Sequence, residues 1–366
     1  MNWILSRIND NFILKLSLAA YIVYKLITFN LWFSYHRTFP LVTPLDIFKL
    51  NTFWLDGISI LSSLILILLV IKIKKNLLLL FLVLEVVALS SDMMRWQPFT
   101  FQILITIAAY IFNRKDFKFI LLLILSATYV FSGLNKLNLR FINVVWCHGI
   151  LIDYIGLSKE IAFMRIVKAI GFIIPILETL AGILMLTRWR KIGFYIVIAT
   201  HLFVLAYIGP WGISYNSAIW PWNILMLSYA LIFIHTRTTL GLRGFISYAF
   251  WVSVLFILPC LNFANLYYPY FSFDLYSGPK YYAYVVYKES SSDTLLKHSR
   301  LVRNKTYFEI DLNQWSFDNL STPTTHSRYL FSRISKSIEA VYNPVGIKTE
   351  ISKYPYRERE LLRIYK

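Results

Sequence analysis

The chain has 366 residues, 57% of them hydrophobic and 17% aromatic, with only 15% charged and a mean hydropathy of +0.57. A water-soluble domain cannot hide that much apolar surface, so the composition excludes a soluble globular protein and makes the lipid bilayer the expected solvent. The net charge of +18 is spread over short basic clusters between apolar runs, a pattern that fits membrane topology signals and argues against nucleic-acid binding.

In chain order, apolar runs near 12–33, 56–72, 77–92, 98–113, 117–134, 168–187, 192–209, 218–235 and 244–264 predict an all-α polytopic membrane protein of eight to nine transmembrane helices. The first run is longer than the apolar core of a signal peptide and has no small-residue cleavage site, so it is expected to be an uncleaved span. The loops KIKK (72–75), NRKDFK (113–118), RWRK (188–191) and RTTLGLR (237–243) are basic, whereas SDMMRWQP and IGPWGISYNS are poorer in charge. By the positive-inside rule the N-terminus is then cytoplasmic and the C-terminal segment periplasmic or otherwise extracytoplasmic. Richness in Ile, Leu, Lys, Asn, Phe and Tyr suggests an AT-rich bacterial genome and hence a bacterial inner membrane.

After Leu266, KYYAYVVYK and TYFEIDL alternate as strands do and SRYLFSRISKSIEAVY has helical spacing. The expected organisation is a transmembrane helical domain over 1–265 and a small extracytoplasmic α+β domain over 266–366. Cys147 and Cys260 have no metal-ligand spacing and could form one disulfide at most, so no metal site is expected.

Ionisable groups inside spans are costly, which makes each a functional candidate. Glu85 lies within the third run and Asp92 seven residues on, about two turns along one helical face. Glu85 and Asp92 each read as an acid or base, or as a neutral packing partner, and Asp92 also reads as a simple pair with Arg95, three residues on. Glu178 in IIPILETLAGILML and His201 in YIVIATHLFVLAY could form a proton-handling couple, or a single interhelical hydrogen bond. The outer loop GPWGISYNSAIWPWN brings Trp211, Trp220 and Trp222 with Asn216 and Asn223, and Pro221 interrupts the start of a span; RWQPF, with Trp96, Gln97 and Pro98, repeats the idea. In YVFSGLNKLN, Lys136 closes the run FKFILLLILSATYVF. It is either a snorkelling anchor or a partly desolvated base.

The stretch YVFSGLNKLN, the later Trp146, ETLAGILMLTRWRKIGFYIVIATHLFVL and the loop into WPWN together resemble the HTTM membrane-domain family, which includes the vitamin K-dependent γ-glutamyl carboxylases, over roughly 85–235. A more distant likeness is to DoxX-like quinone-associated membrane proteins, which share a Gly-x-x-Lys ending. The resemblance implies that Lys136 is the catalytic base, with Glu178 and His201 as further catalytic residues. It implies a reduced quinone of the vitamin K or menaquinol type as cofactor, held by Tyr129, Phe131, Trp222 and Asn223 together with Trp96 and Gln97. Asn135 stands where the carboxylase pattern has a second lysine, and a tail of about a hundred residues stands where the animal carboxylases have a large lumenal domain.

The functional expectation is an outward-facing pocket around Lys136 for a quinone or lipid-like ligand, as in a quinol-dependent, γ-carboxylase-like lyase. The alternative is a non-catalytic membrane subunit whose C-terminal domain docks an extracytoplasmic protein or peptide.

Overall fold

Most of the chain is helical, and among the described residues the only sheet lies in the last ninety residues or so. The computed structural model describes residues 9–209, 212–213, 216–236, 245–274, 277–302 and 306–362. Trp211 and the RTTLGLR loop lie outside the described residues.

The longer helices are α1 (Asp10–Ile27), α2 (Thr52–Ile71), α3 (Lys75–Ser91), α4 (Pro98–Phe112), α5 (Phe117–Lys136), α6 (Phe141–Tyr154), α7 (Ile173–Met185), α8 (Arg190–Ile208), α9 (Trp220–Phe233) and α10 (Phe245–Val252). Among the described residues, four stretches are helical, long enough and apolar enough to cross a bilayer: Thr52–Ile71, Arg114–Lys136, Arg165–Met185 and Arg190–Ile208. The other apolar helices are shorter. α4, confined between Pro98 and Asn113, has 15 residues, or about 22 Å of rise against the roughly 30 Å of hydrocarbon in a bilayer. Residues 141–154, which contain Trp146 and had no span assigned, form a wide π-type helix; the Trp146 indole donates to the Val167 carbonyl (2.9 Å).

Helix α7 shows the burial logic of a chain solvated by lipid. Pro175, Glu178, Ala181, Gly182 and Met185 face inward, while Ile176, Leu177 and Ile183 are exposed. The small and charged residues are inside and the greasy ones outside, the reverse of a soluble helix and the arrangement that lets helix backbones approach closely.

The described chain divides into two units: Met1–Tyr24, Ser63–Leu82 and Gln97–Gly278 form the first, and Lys25–Ser62, Val83–Trp96 and Pro279–Lys366 the second. The division therefore falls at 278/279 and not at 265/266, and the second unit takes in two earlier segments. Hydrogen bonding within that unit explains why. The Asn319 side-chain oxygen accepts from the backbone N–H groups of Thr38 (2.9 Å) and Phe39 (2.8 Å), its amide donates to the His36 carbonyl (3.2 Å), and Asn30 donates to the Asn319 carbonyl (2.9 Å).

The second unit also carries an antiparallel five-stranded sheet of order β2-β3-β1-β4-β5, with β1 Tyr281–Tyr287, β2 Arg300–Val302, β3 Tyr307–Asp311, β4 Lys348–Lys353 and β5 Arg359–Leu361. Helices α11 (Asp293–His298), α12 (Leu312–Leu320) and α13 (Arg328–Tyr342) complete it. Both strands and the helix read from the tail's sequence are present. Cys147 and Cys260 are both free thiols.

Candidate functional site

Helices α5 and α7 meet through two glycines in the first unit. A Cβ on Gly133 would fall 2.2 Å from Thr179 Oγ1 and 2.6 Å from the Pro175 carbonyl, and one on Gly182 would fall 2.7 Å from the Ser126 carbonyl. Ser126 Oγ donates to the Gly182 carbonyl (2.8 Å). The Ser-Gly step before Lys136 is thus a close-approach point between two helices.

That approach sets Lys136 against Glu178. The Lys136 ammonium donates to both Glu178 oxygens (2.9 and 2.7 Å) and to Ser132 Oγ (2.7 Å), so its three donors meet three acceptors. Both side chains are buried. An anchoring lysine would send its ammonium outward; here it points into the helix pair.

Tyr129, Ser132 and Lys136 recur at three- and four-residue spacing and share one face of α5. Tyr129 Oη lies 2.6 Å from His201 Nε2 on α8, and His201 Nδ1 lies 2.7 Å from Asn223 Oδ1 on α9. The Asn223 amide nitrogen donates to the Ile219 carbonyl (2.8 Å), which leaves its oxygen to face the ring. The network therefore assigns the proton to Nδ1 and makes Nε2 the acceptor of the Tyr129 hydroxyl. Glu178 lies within electrostatic reach of both Tyr129 and His201, yet its hydrogen bonds go to Lys136 and those of His201 to Tyr129 and Asn223. The direct carboxylate–imidazole couple read from the sequence is replaced by two adjacent pairs.

Of the nine residues the sequence singles out for the site, Lys136, Glu178, His201, Tyr129 and Asn223 come together. The other four go elsewhere. Phe131, on the far side of α5, packs against Phe256 and Phe263. Trp222 stacks on Phe99 and its indole donates to Gln102 (2.7 Å). Gln97 is buried at the start of α4, its carbonyl accepting from Phe101 N–H (3.0 Å). Trp96 belongs to the second unit, where its indole donates to the Leu89 carbonyl (2.7 Å). Asn216 caps the turn before α9 by accepting from Ala218 N–H (3.0 Å).

Beside Lys136 the structure adds a polar group that sequence reasoning missed. Asn135 donates to the Ser272 carbonyl (3.0 Å), Asn262 donates to Asn135 Oδ1 (3.3 Å) and approaches Asp274 (3.5 Å), and Ser277 donates to Asp274. Burial pushes the Asp274 carboxyl above the usual carboxylate range, against the Ser277 bond, the Arg140 charge, the Asn262 bond and the Lys136 charge.

A second buried ionic network lies in the second unit. Lys25 pairs with Glu85, donates to Ser62 Oγ (3.1 Å) and sits 4.2 Å above the Trp32 ring. Asp92 binds Arg37 (2.6 Å) and Arg95 (3.5 Å). The guanidinium of Arg95 also donates to the Leu31 (3.1 Å) and Trp32 (3.1 Å) carbonyls and to Ser59 Oγ (3.2 Å). α3 ends at Ser91, and Asp92 is extended and caps the turn Met93–Arg95, so Glu85 and Asp92 do not share a helical face. Lys25 answers to the same criterion that picked out Glu85, a charge inside an apolar run.

Among the described residues no group of three or more His, Cys, Asp or Glu side chains could hold a metal ion. No family model matches the chain, and no curated protein or solved structure matches it either.

Proposed function

We propose that this chain is a polytopic, HTTM-type protein of a bacterial inner membrane, with eight to nine spans and a cytoplasmic N-terminus, that binds a quinone or similar lipid-like ligand at Lys136 and moves a proton there. The observation that carries the reading is the burial of a Lys136–Glu178 pair within apolar helices, beside the ordered chain Tyr129–His201–Asn223. Ionised groups in such a place cost several kcal/mol unless paired, which favours a functional origin. Exposed Leu137 and Leu139 next to Lys136 give an apolar ligand a greasy approach.

The geometry also refines the base. With the Lys136 nitrogen turned to Ser132 and to both Glu178 oxygens, the hydrogen bonding supports Glu178 as the acceptor for a ligand hydroxyl. Glu178 would take up the proton of a bound ligand hydroxyl, and Lys136 would hold positive charge beside the oxygen that gives it up. The HTTM resemblance supplies the reaction class, quinol-dependent carboxylation of peptide glutamate, for which a bound hydroquinone would supply the redox chemistry.

The test uses detergent-purified full-length protein titrated with menaquinol and with vitamin K hydroquinone, followed by tryptophan fluorescence. Saturable quenching that disappears in Lys136→Met/Glu178→Leu, while the melting temperature holds, supports the site. Unsaturable quenching of the folded wild type by both quinols overturns it. Incorporation of labelled carbon dioxide into glutamate peptides then separates the carboxylase from a binding protein without that activity.

A further inference from the structure

A second place in the first unit has the chemistry of a ligand site. A cavity of about 420 Å³ lies among the start of α1, the start of α3 and the end of α4. Ile73 and Leu78 give it an apolar wall, and Asn11, Tyr110, Lys75 and Arg114 give it a polar one. Its position is set by two stretches of membrane-crossing length, since Ile73 follows the end of Thr52–Ile71 and Arg114 opens Arg114–Lys136. An apolar wall joined to a cationic one at the ends of such helices is complementary to an amphiphile with a negative headgroup.

The cations are arranged for use. The Arg114 guanidinium stacks over the Tyr110 ring at 3.8 Å and donates to Asn11 Oδ1 (2.6 Å), which also accepts from the Tyr110 hydroxyl, so its plane is fixed. Lys75 makes no side-chain hydrogen bond or ion pair among the described residues. The carboxylates of these segments are engaged elsewhere, Asp10 by Lys118 (3.8 Å) and Asp116 by Tyr248. Lys72, Lys74 and Lys115 add positive charge in the same loops.

We infer that this cavity binds the phosphate headgroup of an anionic phospholipid, with Lys75 and Arg114 as the phosphate ligands and Ile73 and Leu78 against its glycerol and upper acyl carbons. The inference is independent of the Lys136 site, which it does not use. Each basic residue near a lipid phosphate favours the anion by roughly fivefold, so the pair predicts a preference of roughly thirtyfold for phosphatidylglycerol over phosphatidylcholine.

Native mass spectrometry of the full chain, released from mixed micelles of the two lipids, measures that preference directly. Lys75→Gln/Arg114→Gln changes exposed side chains and leaves the buried pairs intact; it gives up the Arg114 contacts to Tyr110 and Asn11, so a single cooperative unfolding transition in phosphatidylcholine, a few degrees below the wild type's at most, shows that the fold is kept. The expected result is retained phosphatidylglycerol on the wild type and loss of the preference in the double variant. Equal retention of both lipids by the wild type, or an undiminished preference in the variant, overturns the site. Inorganic phosphate added alone is the third arm. A thermal shift from it as large as the one from phosphatidylglycerol, and lost in the same variant, would make the occupant free phosphate and overturn the lipid assignment.

Discussion

Lys136 and Glu178, 42 residues apart, form a buried ion pair with both carboxylate oxygens on one ammonium. Removing one partner strands the other charge in a poorly solvated place, so Lys136→Met or Glu178→Leu alone is expected to cost about 3–5 kcal/mol. The double variant removes both charges and keeps the volume, and should return to within about 2 kcal/mol of the wild type. Thermal unfolding of the four proteins in one detergent gives the coupling energy. Additive losses in the double variant would mean that the two groups do not depend on each other.

The pair exists because α5 and α7 touch through glycine. Gly133→Ala places a methyl against Thr179 Oγ1 and the Pro175 carbonyl, and backbone cannot yield as a side chain does. A loss of about 1–3 kcal/mol is expected. Gly57 of α2 is the control, since a Cβ there meets nothing within 4 Å; Gly57→Ala should stabilise slightly, by up to about 1 kcal/mol, through helix propensity. Equal effects at the two positions would show that contact with α7 is not what Gly133 serves.

How far such features can be read in advance depends on their range. α5 was legible as an apolar run over 117–134, and its polar face follows from the spacing of Tyr129, Ser132 and Lys136. The tail's strands Tyr281–Tyr287 and Tyr307–Asp311 were legible from alternation. What was not legible is partner choice. That Lys136 takes Glu178 while His201 takes Tyr129 and Asn223 is decided by interhelical distance, which no local pattern carries. Lys25 went unnoticed because a single lysine in a long apolar run lowers its mean hydropathy little. The α6 segment, 14 residues long, is too short to register as a span although it is apolar enough to be helical.

The Tyr129–His201–Asn223 chain predicts a tautomer. With Asn223 Oδ1 held toward the ring, Nδ1 carries the proton and Nε2 accepts from Tyr129. Nitrogen-15 NMR of histidine-labelled protein at pH 7 should show a pyrrole-like Nδ1 and a pyridine-like Nε2 for the resonance that disappears in His201→Gln. Asn223→Leu removes the acceptor and should shift the population toward protonated Nε2. The opposite assignment in the wild type would reverse the direction of the hydrogen-bond chain.

In the C-terminal sheet, Glu309 is buried opposite Arg300 and is reached from β5 by Arg359, whose guanidinium lies 4.0 Å over Tyr284. Burial acts to raise its carboxyl, but hydrogen bonds from Arg359 and Arg300 outweigh burial and hold it below the usual glutamate value. A carboxylate held low in the folded state stabilises above its unfolded value of about 4.3 and loses that contribution as pH falls through the folded value. Glu309→Gln should therefore be less stable than the wild type at pH 7, by about 1–2 kcal/mol once solvent screening of the two partly exposed guanidiniums is allowed for. The gap should close as the pH is taken from about 5 down to about 3. Chemical denaturation of both full-length proteins across that range decides it, because a gap that stays constant would mean that the glutamate acts through its shape and not through its charge.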